Sequence, residues 1–455
     1  MKATKYPIAA AALMAGFTAW SRQPNIIYIM TDQQSADAMS CAGNGYLHTP
    51  AMDRLAERGV RLPNTYCALP LSGPSRSAMF TGIMPSQSGM MHNETPLPDS
   101  LRTRTLGDLV AAAGYDNGYA GKWHVNTNAL PAERAFGFER LHGHGDEGLA
   151  EAAIDFLRRD HGDRPFFLVA SFDNPHNICQ YARGQKLPEA ELTEPALADC
   201  PNLPANHLIQ PYDPAVLAWE RTHNYNLYPT DAYTPDDWRR YRNAYFRLVE
   251  HIDGEVGKIV DEIDRQNLWD NTVVIFTSDH GDGQGAHQWN QKTALWEETA
   301  RVPLIVCAPG NKKNAGKVSA ELVNNGIDLM PSVLDWAGAA KPGWCKGRSY
   351  RHAVESPDAS ASQAPYVVTE TEFAQTGGTR GWLLRTPKYK YVLYESGKNR
   401  EALYDMAADP GEMRNLAVEA QARPEVLRHR ELLREWFRDN PKGLRYSRER
   451  FIPVD

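Results

Sequence analysis

Cysteine is scarce in this chain, with six residues in 455, too few to staple a protein of this size with a disulfide framework. Cys41, Cys67, Cys179, Cys200, Cys307 and Cys345 follow no zinc-ligand spacing. Buried free thiols are the default expectation, although Cys179 and Cys200 bracket a loop that a disulfide could close in an oxidising compartment. Long runs of Lys or Arg are also missing, and the net charge is −7. A sequence-independent nucleic-acid binder needs a basic footprint, so no nucleic-acid partner is expected. Apolar stretches of membrane-spanning length are absent too. The run Pro7–Ala19 follows Lys2 and Lys5 and is too short for a stable membrane span. With small residues around Ala19-Trp20-Ser21, residues 1–21 read as a signal peptide and the protein as periplasmic or secreted. There are no internal repeats and no low-complexity tracts.

What is present is ordinary globular material: 42% hydrophobic and 23% charged residues, long enough for a large core plus a second unit. Asn25–Met30 is a continuous apolar run ending at Thr31-Asp32. Similar runs occur at Phe166–Ser171 and at Thr272–Ser278, the latter ending at Asp279. Such runs predict strands buried on both faces, as in parallel sheets. Helical patterns cover Ala51–Gly59, Leu106–Gly114, Leu149–Arg159 and Trp238–Gln266. Their alternation with strands predicts an α/β core around a large, mostly parallel sheet. Asp32 and Asp279 fall at carboxyl ends of strands, where open α/β sheets place functional groups.

Residues 177–235, rich in Pro, Asn, Tyr and His, show little periodicity and read as an irregular insertion suited to substrate recognition. After residue 346, Tyr366–Thr371, Gly381–Arg385 and Lys388–Tyr394 predict short strands. A charged helix follows over Pro424–Arg438. The expected division is a catalytic domain over 22–346 and a C-terminal subdomain over 347–455, with a small antiparallel sheet and a helix.

The stretch Ser72-Gly73-Pro74-Ser75-Arg76, followed by Thr81-Gly82, resembles the signature of type I sulfatases. In that family the leading Cys or Ser is oxidised to formylglycine (3-oxoalanine), whose hydrate attacks sulfate. Further blocks match in order: Thr49–Ala56, Gly121-Lys122-Trp123-His124, Thr277–Asp282, Arg301-Val302-Pro303, Leu403-Tyr404-Asp405, Asp409-Pro410 and Asn415-Leu416. The resemblance implies an alkaline-phosphatase-like sandwich fold. It also implies a calcium site at Asp32, Gln33, Asp279 and His280 together with modified Ser72. Gln33 replaces an Asp common in the family, and His280 an Asn.

The roles implied for the remaining residues follow from their chemistry. Sulfate ester cleavage needs preorganised positive charge. The resemblance has Arg76 orient the nucleophile while Lys122 and Lys292 contact sulfate oxygens as compact cations. His176, in Asn174-Pro175-His176, is expected to protonate the leaving oxygen, and His124 to take the nucleophile's proton when sulfate is expelled. Relatives led by Ser are matured by an anaerobic-type sulfatase-maturating enzyme, an expected partner here.

The pairs Asp32-Gln33 and Asp279-His280 resemble sulfatases that remove uronate 2-O-sulfate from glycosaminoglycan oligosaccharides. Such a sulfated oligosaccharide would need a cation for its carboxylate, with Arg183, Arg221 and Lys186 as candidates. Trp219, Tyr225, Tyr228 and Tyr233 are available to stack on sugars. The alternatives are a hexosamine 4-O- or 6-O-sulfatase, a phosphomonoester or phosphonate hydrolase on the same fold, and a non-catalytic glycan-binding protein.

Overall fold

The computed structural model describes residues 23–188, 192, 195–358, 363–373 and 377–444. The expected signal peptide lies outside them. The apolar runs do form strands, at Asn25–Asp32, Phe166–Pro175 and Thr272–Ser278. They sit in the middle of a nine-stranded sheet. From one edge its order is Lys317–Val318, Val60–Arg61, Leu304–Cys307, Thr272–Ser278, Asn25–Asp32, Phe166–Pro175, Asp116–Gly121, Phe138–His142 and Arg134–Ala135. Thr272–Ser278 through Phe138–His142 are mutually parallel, while Leu304–Cys307 and the edge strand Arg134–Ala135 run antiparallel to their neighbours.

Alternate side chains of these strands enter two separate cores. Ile27, Ile29, Leu168, Phe172, Val274 and Phe276 pack beneath helices Pro50–Arg58, Leu149–Leu157 and Pro235–Arg265. Ile26, Tyr28, Met30, Val169 and Ile275 face Ser72–Thr81, Leu106–Ala112 and Asn325–Trp336. A sheet covered by helices on both faces is what two-sided apolar strands require. The long helix Pro235–Arg265 starts where its sequence says it should. Thr234 caps it, accepting from the Asp237 amide, while the Asp237 carboxylate returns a bond to Thr234, and Pro235 occupies the first turn.

The C-terminal residues form a four-stranded antiparallel sheet in the order Val367–Phe373, Thr379–Arg385, Tyr389–Tyr394, Glu401–Asp405, covered by the helix Arg423–Asp439. Glu401–Asp405 is a strand that the sequence shows only as part of a motif. Both faces of this sheet are occupied. Trp382, Leu384, Tyr391 and Leu403 pack on the helix. Leu383, Val392, Tyr394 and Tyr404 pack on Tyr66, Trp289 and Trp296 of the larger unit.

The region 177–235 is more ordered than its sequence suggests. It contains the helix Ala215–Leu227, whose Val216 and Leu217 join the core beneath the C-terminal sheet. Only a few anchors on one side are apolar, so the helical period is weak. The described cysteines are all free; Cys179 and Cys200 are buried and unjoined. No helix among the described residues is long and apolar enough to cross a membrane.

Gly121 closes the strand Asp116–Gly121 at φ +98°, and a Cβ there would stand 2.1 Å from the Ser171 carbonyl oxygen. Lys122 follows immediately, its amide bonded to that same carbonyl. Gly121→Ala should therefore destabilise the protein by at least ~2 kcal/mol and displace Lys122. A thermal melt beside an activity assay checks this, and an unchanged melting temperature would contradict it.

Candidate active site

Adjacent parallel strands deliver their functional groups to the carboxyl end of the sheet. Asn25–Asp32 ends in Asp32, and Asp116–Gly121 leads into Lys122. Phe166–Pro175 carries Asp173 and leads into His176, and Thr272–Ser278 leads into Asp279 and His280. Ser72 opens the helix Ser72–Thr81, every residue of which is buried. Its hydroxyl lies 3.0 Å from His280 Nε2 and 3.4 Å from Asp32 Oδ1. The first-turn amides of that helix add partial positive charge beside the hydroxyl.

Arg76, one turn further on, is fully buried and uses its whole fork. Nε donates to Asp279 Oδ2 at 2.7 Å and one terminal nitrogen to Asp32 Oδ2 at 3.0 Å. The other reaches the Lys122 carbonyl and Ser171 Oγ, both at 2.7 Å. The guanidinium therefore sits behind the two carboxylates and ties three strand ends together; none of these bonds goes to Ser72. Lys122 is likewise enclosed, with Nζ 2.9 Å from Asp32 Oδ2 and 2.6 Å from Asp173 Oδ1.

Oxygens of Asp32 and Asp279 and a ring nitrogen of His280 lie within 4.8 Å of one another. Burial alone would raise the Asp32 pKa, but the Lys122 and Arg76 charges hold it well below the usual carboxylate range. Burial and the adjacent Asp32 push Asp279 upward. Two carboxylates forced together in this way favour a cation between them. His280 Nδ1 is 3.0 Å from the Gly281 carbonyl. Donating there, it leaves the Nε2 lone pair aimed at the cluster, the arrangement metal-bound histidines adopt. The donor set fits a divalent cation, and Ser72 Oγ lies beside it.

Gln33 has its backbone amide on Asp279 Oδ1 at 3.1 Å, but its side chain runs to Lys292, Asp282 and Gln291. Asp282 does not enter the carboxylate cluster. Its oxygens accept from Gln33, Tyr241 and the Gln284 amide.

Asp32, Ser72, Arg76, Asp279 and His280 form a floor with no exposed surface. His124, His176 and Lys292 are half-buried and form the mouth. His124 sits at φ +51°, and its Nδ1 has no partner among the described residues. Burial, reinforced by Lys122, pulls its pKa to about 3. Burial and the Lys122 and Lys292 charges also hold His176 well below its usual value. Both imidazoles are thus neutral in the free site.

The residues expected from the sequence converge here. Those that sequence reasoning passed over are Asp173, which pairs with Lys122, and Tyr241 and Gln291, which together with the motif residue Asp282 hold Gln33. Asp173 had a signal in its place at the end of an apolar strand just before Asn174-Pro175-His176. Tyr241 had none, since it is one turn of a long helix. Of the other histidines, His144 reaches the rim, 3.4 Å from Asp173 Oδ1, whereas His223 stacks on Trp219.

Arg76→Lys keeps the charge but abandons most of these bonds, leaving buried acceptors unpaired. It should lower stability by at least ~2 kcal/mol and abolish activity. Denaturant unfolding of the variant tests this, and a loss within about 0.5 kcal/mol would show that the fork is dispensable.

The chain is similar to known proteins along most of its length. The chain matches the sulfatase family over residues 24–339 and the family "N-sulphoglucosamine sulphohydrolase, C-terminal" over residues 285–436. It is 29% identical to a Delta 4,5-hexuronate-2-O-sulfatase of Bacteroides thetaiotaomicron, covering 91% of this chain and 89% of that one. It is 25% identical to an N-acetylglucosamine-6-O-sulfatase of the same organism, covering 92% and 88%. The solved structure of a 2-O GAG sulfatase superimposes with a TM-score of 0.80 at 27% identity, covering 94% of this chain and 95% of that one. Matched along more than half its length, and with its motif residues gathered at the carboxyl end of the sheet, the chain belongs to the sulfatase family and is an enzyme that hydrolyses sulfate esters.

Proposed function

We propose that this sulfatase is exported, calcium-dependent and formylglycine-based, and that it removes 2-O-sulfate from uronate residues of glycosaminoglycan-type oligosaccharides. The observation that carries the chemistry is the position of Ser72 Oγ, between His280 Nε2 and Asp32 at a helix N-terminus. Formylglycine at position 72, installed by an anaerobic-type maturating enzyme, supplies the hydrated aldehyde as nucleophile. Calcium would be held by Asp32, Asp279, His280 and the residue-72 oxygen, with the Gln33 amide oxygen beside Lys292 as the further expected ligand, and would supply a Lewis acid for sulfate oxygens.

The chain's own residues do the rest. Lys292 at the mouth and Lys122 on the floor present positive charge to the incoming sulfate. His176 is neutral in the free site; an anionic ester beside it favours the imidazolium, so a proton is taken up from solvent as the substrate binds. From the mouth His176 then gives that proton to the leaving alcohol, and His124 takes one when sulfate departs. Arg76 holds the carboxylates in register throughout.

The uronate reading is supported by the 29% identical hexuronate-2-O-sulfatase and by one of the three cationic candidates. Arg221 is spent on Asp213 and lies over Trp289. Lys186 lies in a groove lined by Asp146, Glu147, Glu151 and Glu255. Arg183 stacks on Tyr228 with 4.6 Å to the ring centroid, and Tyr228 neighbours Cys179, whose sulfur is 3.9 Å from His176 Nε2. A guanidinium braced on this side of the leaving-group histidine suits a carboxylate. The second reading, a hexosamine 6-O-sulfatase, rests on the 25% identical relative.

The matured enzyme should release sulfate from a uronate 2-O-sulfated disaccharide and not from hexosamine 4-O- or 6-O-sulfated ones. Release confined to a hexosamine position would replace the substrate assignment. Ser72→Ala should abolish turnover with its melting temperature retained. A chelator should abolish turnover too, with calcium restoring it. Arg183→Ala should raise KM for the uronate substrate about tenfold, well above its effect on an aryl sulfate without a carboxylate.

A further inference from the structure

The strand Phe166–Pro175 loses the register of the sheet just before it enters the site. It pairs regularly with Asn25–Asp32 as far as Met30 and Ser171, then meets it again at Asp32 and Pro175. Over that interval the neighbour takes two steps and this strand takes four, so residues 172–174 bulge out of the ladder. On the other side, Asp116–Gly121 pairs with it only as far as Gly121 and Ser171. The amides of Asp173 and Asn174 are therefore donors outside the regular ladder, and buried backbone donors need an acceptor.

Asp146 supplies it. This residue lies between the strand Phe138–His142, two places along the sheet, and the helix Leu149–Leu157. Its loop crosses the end of Asp116–Gly121 to reach the bulge. Asp146 Oδ1 accepts from the Asp173 amide at 2.5 Å, and Oδ2 from the Asn174 amide at 2.9 Å and from Asn174 Nδ2 at 2.8 Å. Three donors thus converge on one buried carboxylate. A carboxylate accepts at both oxygens, whereas an amide in its place would turn an NH2 group towards one of those donors. The Asp146 carbonyl accepts from the Leu149 amide at 3.1 Å, which ties the clamp to the helix that follows.

The clamped segment carries site chemistry at both ends. Asp173 Oδ1 sits 2.6 Å from Lys122 Nζ and 3.4 Å from His144 Nε2. The Asp173 carbonyl accepts from the His176 amide at 3.0 Å, so the turn bearing His176 is built on the bulge. Little else orients that imidazole. Among the described residues, the side-chain hydrogen bond recorded for it is a long one, 3.9 Å to Cys179 Sγ. Its direction is inherited from the backbone beneath it, and bulges beside active sites re-aim side chains in this way. We propose that Asp146 is a positioning residue which, by locking the bulge 172–174, aims His176 at the leaving oxygen. This rests on the leaving-group role proposed above for His176.

The test compares kcat/KM on the saccharide sulfate with kcat/KM on a nitrophenyl sulfate, using the matured, calcium-loaded enzyme. A sugar alkoxide needs a proton to leave, whereas an acidic phenolate does not. Asp146→Asn should cost about a hundredfold on the saccharide, and at least about tenfold less on the aryl ester. In a His176→Ala background the same change should cost the saccharide less than about threefold. Asn174→Ala removes one of the three bonds and should follow the same pattern more weakly, which covers the case in which Asp146→Asn fails to fold. Equal losses on the two esters would overturn the proposal, as would full additivity with His176→Ala. If His176→Ala itself cost both esters equally, the acid role would fall, and the role of the clamp with it.

Discussion

The buried guanidinium of Arg76 is the interaction on which the rest of the site depends. Two carboxylates, Asp32 and Asp279, come from neighbouring strands and are forced together without water. Left alone they would repel, and one would take up a proton. Arg76 reaches both, and its remaining nitrogen binds the Lys122 carbonyl and Ser171 Oγ. Four separate parts of the chain are thereby held by one planar group. Since Arg76 lies one turn beyond Ser72, the same helix that presents the proposed nucleophile position also carries the clamp. The short Ser-to-Arg spacing of the motif is thus a geometric requirement, because one helical turn separates the reacting side from the organising side.

The two lysines divide the work of positive charge. Lys122 meets the site from the floor with two carboxylates against it, whereas Lys292 stands at the mouth against a neutral oxygen. A sulfate entering between the half-buried His124, His176 and Lys292 meets charge that has not already been neutralised. Electrostatic complementarity of this kind needs no net positive protein, which fits a chain of net charge −7.

Much of this was legible in the sequence, for stated reasons. Strands buried on both faces leave uninterrupted apolar runs, so Asn25–Asp32 and Thr272–Ser278 could be read almost to their ends. A turn must follow such a run, which placed Asp32 and Asp279 at strand ends. The helix Ala215–Leu227 was hidden because its order comes from packing against the C-terminal sheet, not from a periodic face. The strand Glu401–Asp405 was too short and mixed to stand out. What each site residue touches was not legible at all. Arg76 behind Asp279 and Asp282 beside Gln33 depend on pairings over 200 residues apart, and no local pattern encodes those.

The complete burial of Ser72 sets an order of events during biosynthesis. A small sulfate group can pass the half-buried mouth, but a second protein cannot reach a side chain on a helix whose every residue is covered. Any enzyme that oxidises Ser72 must therefore work on the chain before this helix docks, in competition with folding. On the formylglycine reading proposed above, a serine left unmodified is sealed in once the sheet closes, and the molecule is well folded yet inert. Preparations made faster than the modifying enzyme can act would then be mixtures of two indistinguishable folds differing by two hydrogens. The fraction active, more than the amount of protein, would set their apparent turnover.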